Sequence, residues 1–97
     1  MIHHIVCFRF KPDTPAEAVQ QAGAALLAMQ GKIPEVRSVW WGPNLAAGVT
    51  EYSHVLTVVV DDTAALARYL GHPMHLETVA RYIVPLREKR LAIDVEY

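Results

Sequence analysis

The chain has 97 residues, 53% of them hydrophobic, and a formal net charge of −1 with histidine neutral. This length predicts a single domain over residues 1–97 with a thin core, and the apolar excess indicates a surface covered by a partner. The lack of any basic run argues against nucleic-acid binding. The single cysteine, Cys7, cannot form an internal disulfide, and the short, alternating N-terminus is typical of neither a signal peptide nor a membrane span, so we expect a cytoplasmic protein.

The first half of the chain predicts a strand, a helix and a second strand. The opening IHHIVCFRF is rich in β-branched and aromatic residues, as strands are. A helix capped by Asp13 or Thr14 is expected to run to about Gln30. VRSVWWG then predicts a strand in which Trp40 and Trp41 point to opposite faces of the sheet.

The second half predicts a strand, two helices and a closing strand. NLAAGVTEY is typical of a hairpin loop, and EYSHVLTVVV is the clearest strand of the chain. Asp61 and Asp62 suit the cap of a helix over TAALARYL, and Pro73 suits the first position of a helix over PMHLETVARYIV. With RLAIDVEY as the last strand, the order is β-α-β-β-α-β. This order predicts an α+β, ferredoxin-like fold with a four-stranded antiparallel sheet and helices on one side.

The predicted strands are apolar on both faces, although the helices can cover only one face of the sheet. Val55 and Val59 belong to the face that the helices leave open. A second copy of the chain would cover it, because identical sheet faces pack against one another in an isologous interface. We therefore expect a homodimer formed through the sheet face, a dimeric α/β barrel.

The segment YLGHPMH, residues 69–75, concentrates groups that can move protons. His75 is expected in the first turn of the helix that Pro73 begins, where burial and the positive helix end disfavour an imidazolium and so favour a general base. Tyr69 closes the preceding helix and can donate to an oxygen that gains negative charge. His72 is expected to cap the helix. The residues alone favour a His75 that merely packs or binds a backbone carbonyl, and they equally allow Tyr69 to lie at the edge of the core.

Two more histidines interrupt apolar strand faces and need hydrogen-bond partners there. His4 and His54 would find such partners in a pocket between sheet and helices, or as satisfied residues of the core. Trp41 is a candidate for the wall of that pocket. We expect no cofactor, because no cofactor motif occurs. We also expect no metal, because His72 and His75 lack further ligands at a familiar spacing.

Four segments carry a resemblance that extends over nearly the whole chain: HHIVCFRFK, IPEVRSVWWG, YSHVLTVVV and YLGHPMH. In this order and spacing, with the closing strand, they resemble the stress-responsive A/B barrel family of dimeric α+β barrels. The family includes a plant polyketide cyclase that closes a linear polyketide by aldol condensation. The resemblance implies that its catalytic and pocket positions correspond to His4, His54, Tyr69 and His75 of this chain.

Two hypotheses of function follow. In the first, the chain is a cofactor-independent cyclase or lyase for a small, apolar, polyketide-like carbonyl compound; His75 and Tyr69 are catalytic, and His4, His54 and Trp41 bind the substrate. In the second, it is a non-catalytic stress-responsive dimer that binds or protects a ligand, since most members of the family have no assigned activity. A third alternative, haem handling or aromatic oxidation as in related barrels, would show as a coloured purified protein.

Overall fold

The elements of the computed structural model, which describes residues 1–46, 48 and 51–97, follow the predicted order. They are β1 (Ile2–Phe10), α1 (Ala16–Leu27), β2 (Ser38–Pro43), β3 (His54–Val60), α2 (Thr63–Gly71), α3 (Pro73–Thr78), a π-helical segment (Val79–Ile83) and β4 (Arg87–Glu96).

The four strands form one antiparallel sheet in the order β2-β3-β1-β4. The first and last strands of the chain are therefore neighbours, and the predicted ferredoxin-like α+β fold is confirmed. The predicted hairpin loop joins β2 to β3, but its residues Ala47, Val49 and Thr50 lie outside the described residues. Within the described ranges, every helix is too short or too polar to cross a lipid bilayer.

The two faces of the sheet differ in what covers them. On the helix side, alternate residues of β1 and β3 such as Val6, Phe8 and Val58 are buried in the core. On the other side, Ile5 of β1 pairs with Ile93 of β4, which is 44% exposed. This outer face (Trp40, Val55, Val59, Leu91, Ile93 and Val95) is the apolar surface that the sequence predicts to meet a second copy.

Two of the predicted helices differ from the observed ones in their local hydrogen bonds. The cap predicted for α1 at Asp13 or Thr14 is wrong, because the Thr14 hydroxyl donates backwards to the carbonyl of Lys11 (2.6 Å) and the helix starts after Pro15 without a side-chain cap. The helix that starts at Pro73 changes to π-helical hydrogen bonding at Val79. The cap of α2 is as predicted, since the Asp62 carboxylate accepts from the amide of Ala65 (2.8 Å).

Candidate active site

The junction of α2 and α3 brings together the two residues that the sequence predicts to be catalytic. Tyr69 lies in the last turn of α2, and His75 lies in the first turn of α3. Their ring centroids are 4.6 Å apart. His72 separates the helices, and its Nδ1 accepts from the amide of Met74 (3.0 Å), so the predicted capping role of His72 is confirmed. Because this imidazole holds the start of α3, it fixes the position of His75 relative to Tyr69.

The hydrogen bonding of His75 determines which of its ring nitrogens can accept a proton. Its Nδ1 lies 2.9 Å from the carbonyl oxygen of Leu70, one of the carbonyls left free at the end of α2. A carbonyl only accepts, so Nδ1 carries a hydrogen and Nε2 of the neutral ring has the free lone pair. Burial lowers the pKa of His75, the bond to Leu70 opposes this effect, and the charges of His4 and Arg90 add to it. His75 is therefore a neutral ring with one available basic nitrogen at pH 7.

Tyr69 presents a buried hydroxyl group. The side chain is fully buried, and within the described part of the chain its oxygen has no hydrogen-bond partner. Buried hydroxyls are normally satisfied, so this group is available to a bound molecule. Burial also raises the pKa of Tyr69 far above its usual range, which keeps the hydroxyl protonated and able to donate.

A third polar group, on β1, faces the same space. His4 is 5% exposed, and its ring centroid lies 6.0 Å from that of Tyr69. Its Nδ1 lies 2.5 Å from an Oδ1 atom of Asp94, the residue directly opposite on β4. A carboxylate accepts hydrogen bonds, so Nδ1 of His4 donates to Asp94. This bond fixes the orientation of the His4 ring, and with it the direction of the other ring nitrogen.

These groups line one pocket of about 210 Å³ between the sheet and the helices. Its polar lining is His4, Tyr69, His75, Arg87 and Arg90. The rest of the lining is apolar and comes from both layers, namely Val6, Phe8, Leu26, Leu56, Leu70, Val79 and Ile83. A mostly apolar pocket with a few converging polar groups is the usual form of a small-molecule site, and this volume suits a ligand below drug size.

His54 and Trp41, which the sequence predicts to bind substrate, do not line this pocket. His54 lies opposite Phe8 in the β1–β3 register, four residues along β1 from His4, and the two histidines are therefore far apart on the same face. Its ring stacks on Trp41 (5.3 Å between centroids), which in turn packs against Phe8 (5.8 Å). The two residues form an aromatic cluster that adjoins the pocket through Phe8. Burial lowers the pKa of His54.

Three residues of the site were not anticipated from the sequence: Arg87 and Arg90, which line the pocket, and Asp94, which binds His4. All three belong to β4, and they meet the site only because β4 pairs with β1. Asp94 interrupts a largely apolar strand and lies on the face opposite Ile93 and Val95, which is a weak sequence signal. Arg87 also depends on a register shift between Arg9 and Phe10, and no residue pattern encodes it.

Fold and site together define a class: small antiparallel α+β proteins that hold a pocket lined by histidine and tyrosine between sheet and helices. The sequence profile of the Stress Responsive A/B Barrel Domain matches residues 2–97, and the chain belongs to that family. It is 32% identical to an uncharacterized protein from Streptomyces coelicolor, over 82% of this chain and 84% of that protein.

Solved structures share the fold over almost the whole chain. A dimeric ferredoxin-like protein of unknown function from Thermobifida fusca superposes with a TM-score of 0.86 at 26% identity, over 99% of this chain and 90% of that one. Hydroxynitrile lyase from Passiflora edulis also gives a TM-score of 0.86, at 22% identity, over 97% of this chain and 90% of the lyase. The likeness to the lyase is one of fold.

Proposed function

We propose that the pocket performs cofactor-independent acid–base chemistry on a small carbonyl compound. In this reaction Nε2 of His75 takes a proton from the carbon next to a carbonyl. The C–H electron pair moves into the adjacent bond, and negative charge develops on the carbonyl oxygen. The Tyr69 hydroxyl donates a hydrogen bond to that oxygen. The observation that carries the proposal is the buried hydroxyl of Tyr69, which has no hydrogen-bond partner among the described residues, beside a histidine whose tautomer is set by Leu70.

The enolate is the start of one course and the product of another. Attack of its carbon on a second carbonyl of the same molecule forms a carbon–carbon bond and closes a ring, as a polyketide cyclase does, and the proton held by His75 returns to the new alkoxide oxygen. In the reverse course, which starts from a β-hydroxy carbonyl compound, the base takes the hydroxyl proton, the carbon–carbon bond breaks and the enolate is released, as in a lyase. The resemblance of the YLGHPMH segment to a plant polyketide cyclase supports the first course. A hydroxynitrile lyase has the same fold, so this fold can support catalysis. The support for chemistry in this chain comes from its own residues.

His4 has a positioning role in this proposal. Its ring is fixed by Asp94 and faces Tyr69 across the pocket, so it can hold the substrate or a water against the two catalytic groups. His54 and Trp41 are proposed to limit the length of the substrate, because their cluster stands behind Phe8 at one end of the pocket.

The test is exchange of the central carbon-bound protons of pentane-2,4-dione for deuterium, followed by NMR in D2O with the buffer rate subtracted. We expect the wild type to accelerate exchange and His75→Ala to lower that rate by about 10²–10⁴-fold. His72→Asn is the matched control, since it removes an imidazole outside the pocket and keeps a side chain that can cap α3. Full activity in His75→Ala would overturn the proposal.

A second candidate is a non-catalytic dimer that retains a ligand in the same pocket. The observation that favours it is the lining, in which seven of the twelve residues are apolar. Apolar lining retains a small molecule without chemistry. Saturable binding of pentane-2,4-dione without any acceleration of exchange, in the wild type as in His75→Ala, is the result expected of this alternative.

We further propose that the chain forms a homodimer through the outer face of the sheet. The support is the row of half-exposed apolar residues on β4, including Leu91, Ile93 and Val95, and the dimeric state of the similar protein from Thermobifida fusca. Ile93→Asp should shift sedimentation from dimer to monomer at micromolar concentration. Leu45→Asp, which changes an 88% exposed leucine outside the sheet, should leave the dimer intact. A monomeric wild type would contradict this interface.

A further inference from the structure

Two arginines of β4 reach the pocket through an irregularity of the strand. Arg90 lies opposite Phe8, and Arg87 lies opposite Phe10, with one residue more on β4 than on β1 between these pairs. Residues three apart on a regular strand point to opposite faces. The extra residue, a β-bulge, turns Arg87 back to the face of Arg90, and both side chains line the pocket.

The other arginines of the chain differ from these two in having partners. Arg9 pairs with Glu88 (3.0 Å), and Arg37 and Arg68 also pair with carboxylates. Arg81 lies over the ring of Tyr82. In the described part of the chain, neither Arg87 nor Arg90 has an ion pair or a side-chain hydrogen bond.

Two carboxylates lie on the same face of β4 as Arg90, namely Asp94 opposite His4 and Glu96 opposite Ile2, and in the described part of the chain neither pairs with Arg87 or Arg90. The carboxylate of Asp94 accepts a hydrogen bond from Nδ1 of His4, so its negative charge lies beside the imidazole. The pocket therefore holds two guanidinium groups at its β4 side that have no partner among the described residues, and two proton-transfer groups, His75 and Tyr69, at its helix side. A guanidinium offers a planar fork of donors that matches a carboxylate, and two of them favour an anion strongly over a neutral group.

We propose that the pocket takes a substrate that carries a carboxylate, which Arg87 and Arg90 bind while the carbonyl lies at Tyr69. This inference deepens the proposed function and rests on it for the placement of the carbonyl. The substrate class is a short keto acid with a second carbonyl, rather than a neutral polyketide-like compound. Arg90 has a second effect, because its charge also helps to keep His75 neutral.

The test compares an anionic probe, 4,6-dioxoheptanoate, with its neutral methyl ester, which is larger by one methyl group. Affinity is measured by calorimetry, and exchange of the protons between the two ketones is measured by NMR. We expect the wild type to bind the acid about 10–100-fold more tightly than the ester. Arg87→Gln and Arg90→Gln should each reduce that preference, and the double variant should abolish it. Arg81→Gln, which removes the same charge outside the pocket, should keep it.

The outcomes separate this inference from the proposed function. Equal affinity for acid and ester, failure of both to bind, or a preference that survives in the double variant would overturn the carboxylate site. Accelerated exchange of the ester together with equal affinities would leave the acid–base proposal standing alone. A tight, arginine-dependent preference for the acid without any exchange would confirm the carboxylate site and refute the chemistry.

Discussion

Replacement of Tyr69 by phenylalanine should stabilise the protein while it removes activity. The hydroxyl is buried and has no hydrogen-bond partner in the described structure, and leaving such a group unsatisfied costs about 1–3 kcal/mol. Phenylalanine keeps the ring that packs against His75 and deletes only this oxygen. We expect the free energy of unfolding to rise by about 1 kcal/mol, which corresponds to an increase in Tm of roughly 4–8 °C. The exchange rate should fall by about 10²–10³-fold, the loss typical of one oxyanion donor.

The assay is denaturant unfolding at a fixed protein concentration, because dimer stability depends on concentration. Tyr82→Phe is the matched control: it removes a hydroxyl from a half-buried tyrosine outside the pocket, and both stability and rate should stay near wild type. A loss of stability of 1 kcal/mol or more in Tyr69→Phe would show that the hydroxyl is satisfied in the folded protein. The argument that it is reserved for a ligand would then fail.

Three more predictions concern groups around the site. Burial holds the pKa of His75 below its unfolded value of about 6.5, so the unfolded chain binds more protons below that pH, and the free energy of unfolding falls as the pH is lowered. In denaturant titrations His75→Ala should reduce this dependence of the free energy of unfolding on pH. An unchanged dependence would contradict the prediction. A Cβ atom at Gly23 would lie 2.6 Å from Cδ1 of Trp41, so Gly23→Ala should destabilise the protein by up to about 2 kcal/mol, although alanine has the higher helix propensity. Gly71→Ala should not destabilise it, because a Cβ atom there would meet open space. His72→Ala should lower unfolding free energy by about 0.5–2 kcal/mol through loss of the α3 cap, and His72→Asn should restore it.

The fold could be predicted because its signals are local. Alternation in β1 and β3, the carboxylate cap of α2 and the proline that begins α3 each set one element, and the order of elements then determines the sheet. The proximity of Tyr69 and His75 is also local, since only a helix junction separates them. The positions of both residues in the pocket followed from the short segment YLGHPMH.

What the sequence did not predict depends on contacts between distant strands. Asp94 meets His4 only because the last strand pairs with the first in one particular register. The bulge that turns Arg87 into the pocket and the π-helical turn after Thr78 are changes of backbone hydrogen bonding without a residue pattern. His54 shares the sheet face of His4 but lies beside Phe8 and outside the pocket lining, so its role in substrate binding stays a prediction.

The state of the His75 ring tests the account most directly. Proton–nitrogen correlation spectra of labelled wild type, with His75→Ala for assignment, report both the tautomer and the pKa of this side chain. The account predicts a neutral ring at pH 7 with its hydrogen on Nδ1 and a pKa below the reference value of about 6.5. A hydrogen on Nε2 would leave that nitrogen without a free lone pair, and titration at or above about 6.5 would show that burial does not tune the ring, so either result would contradict the account.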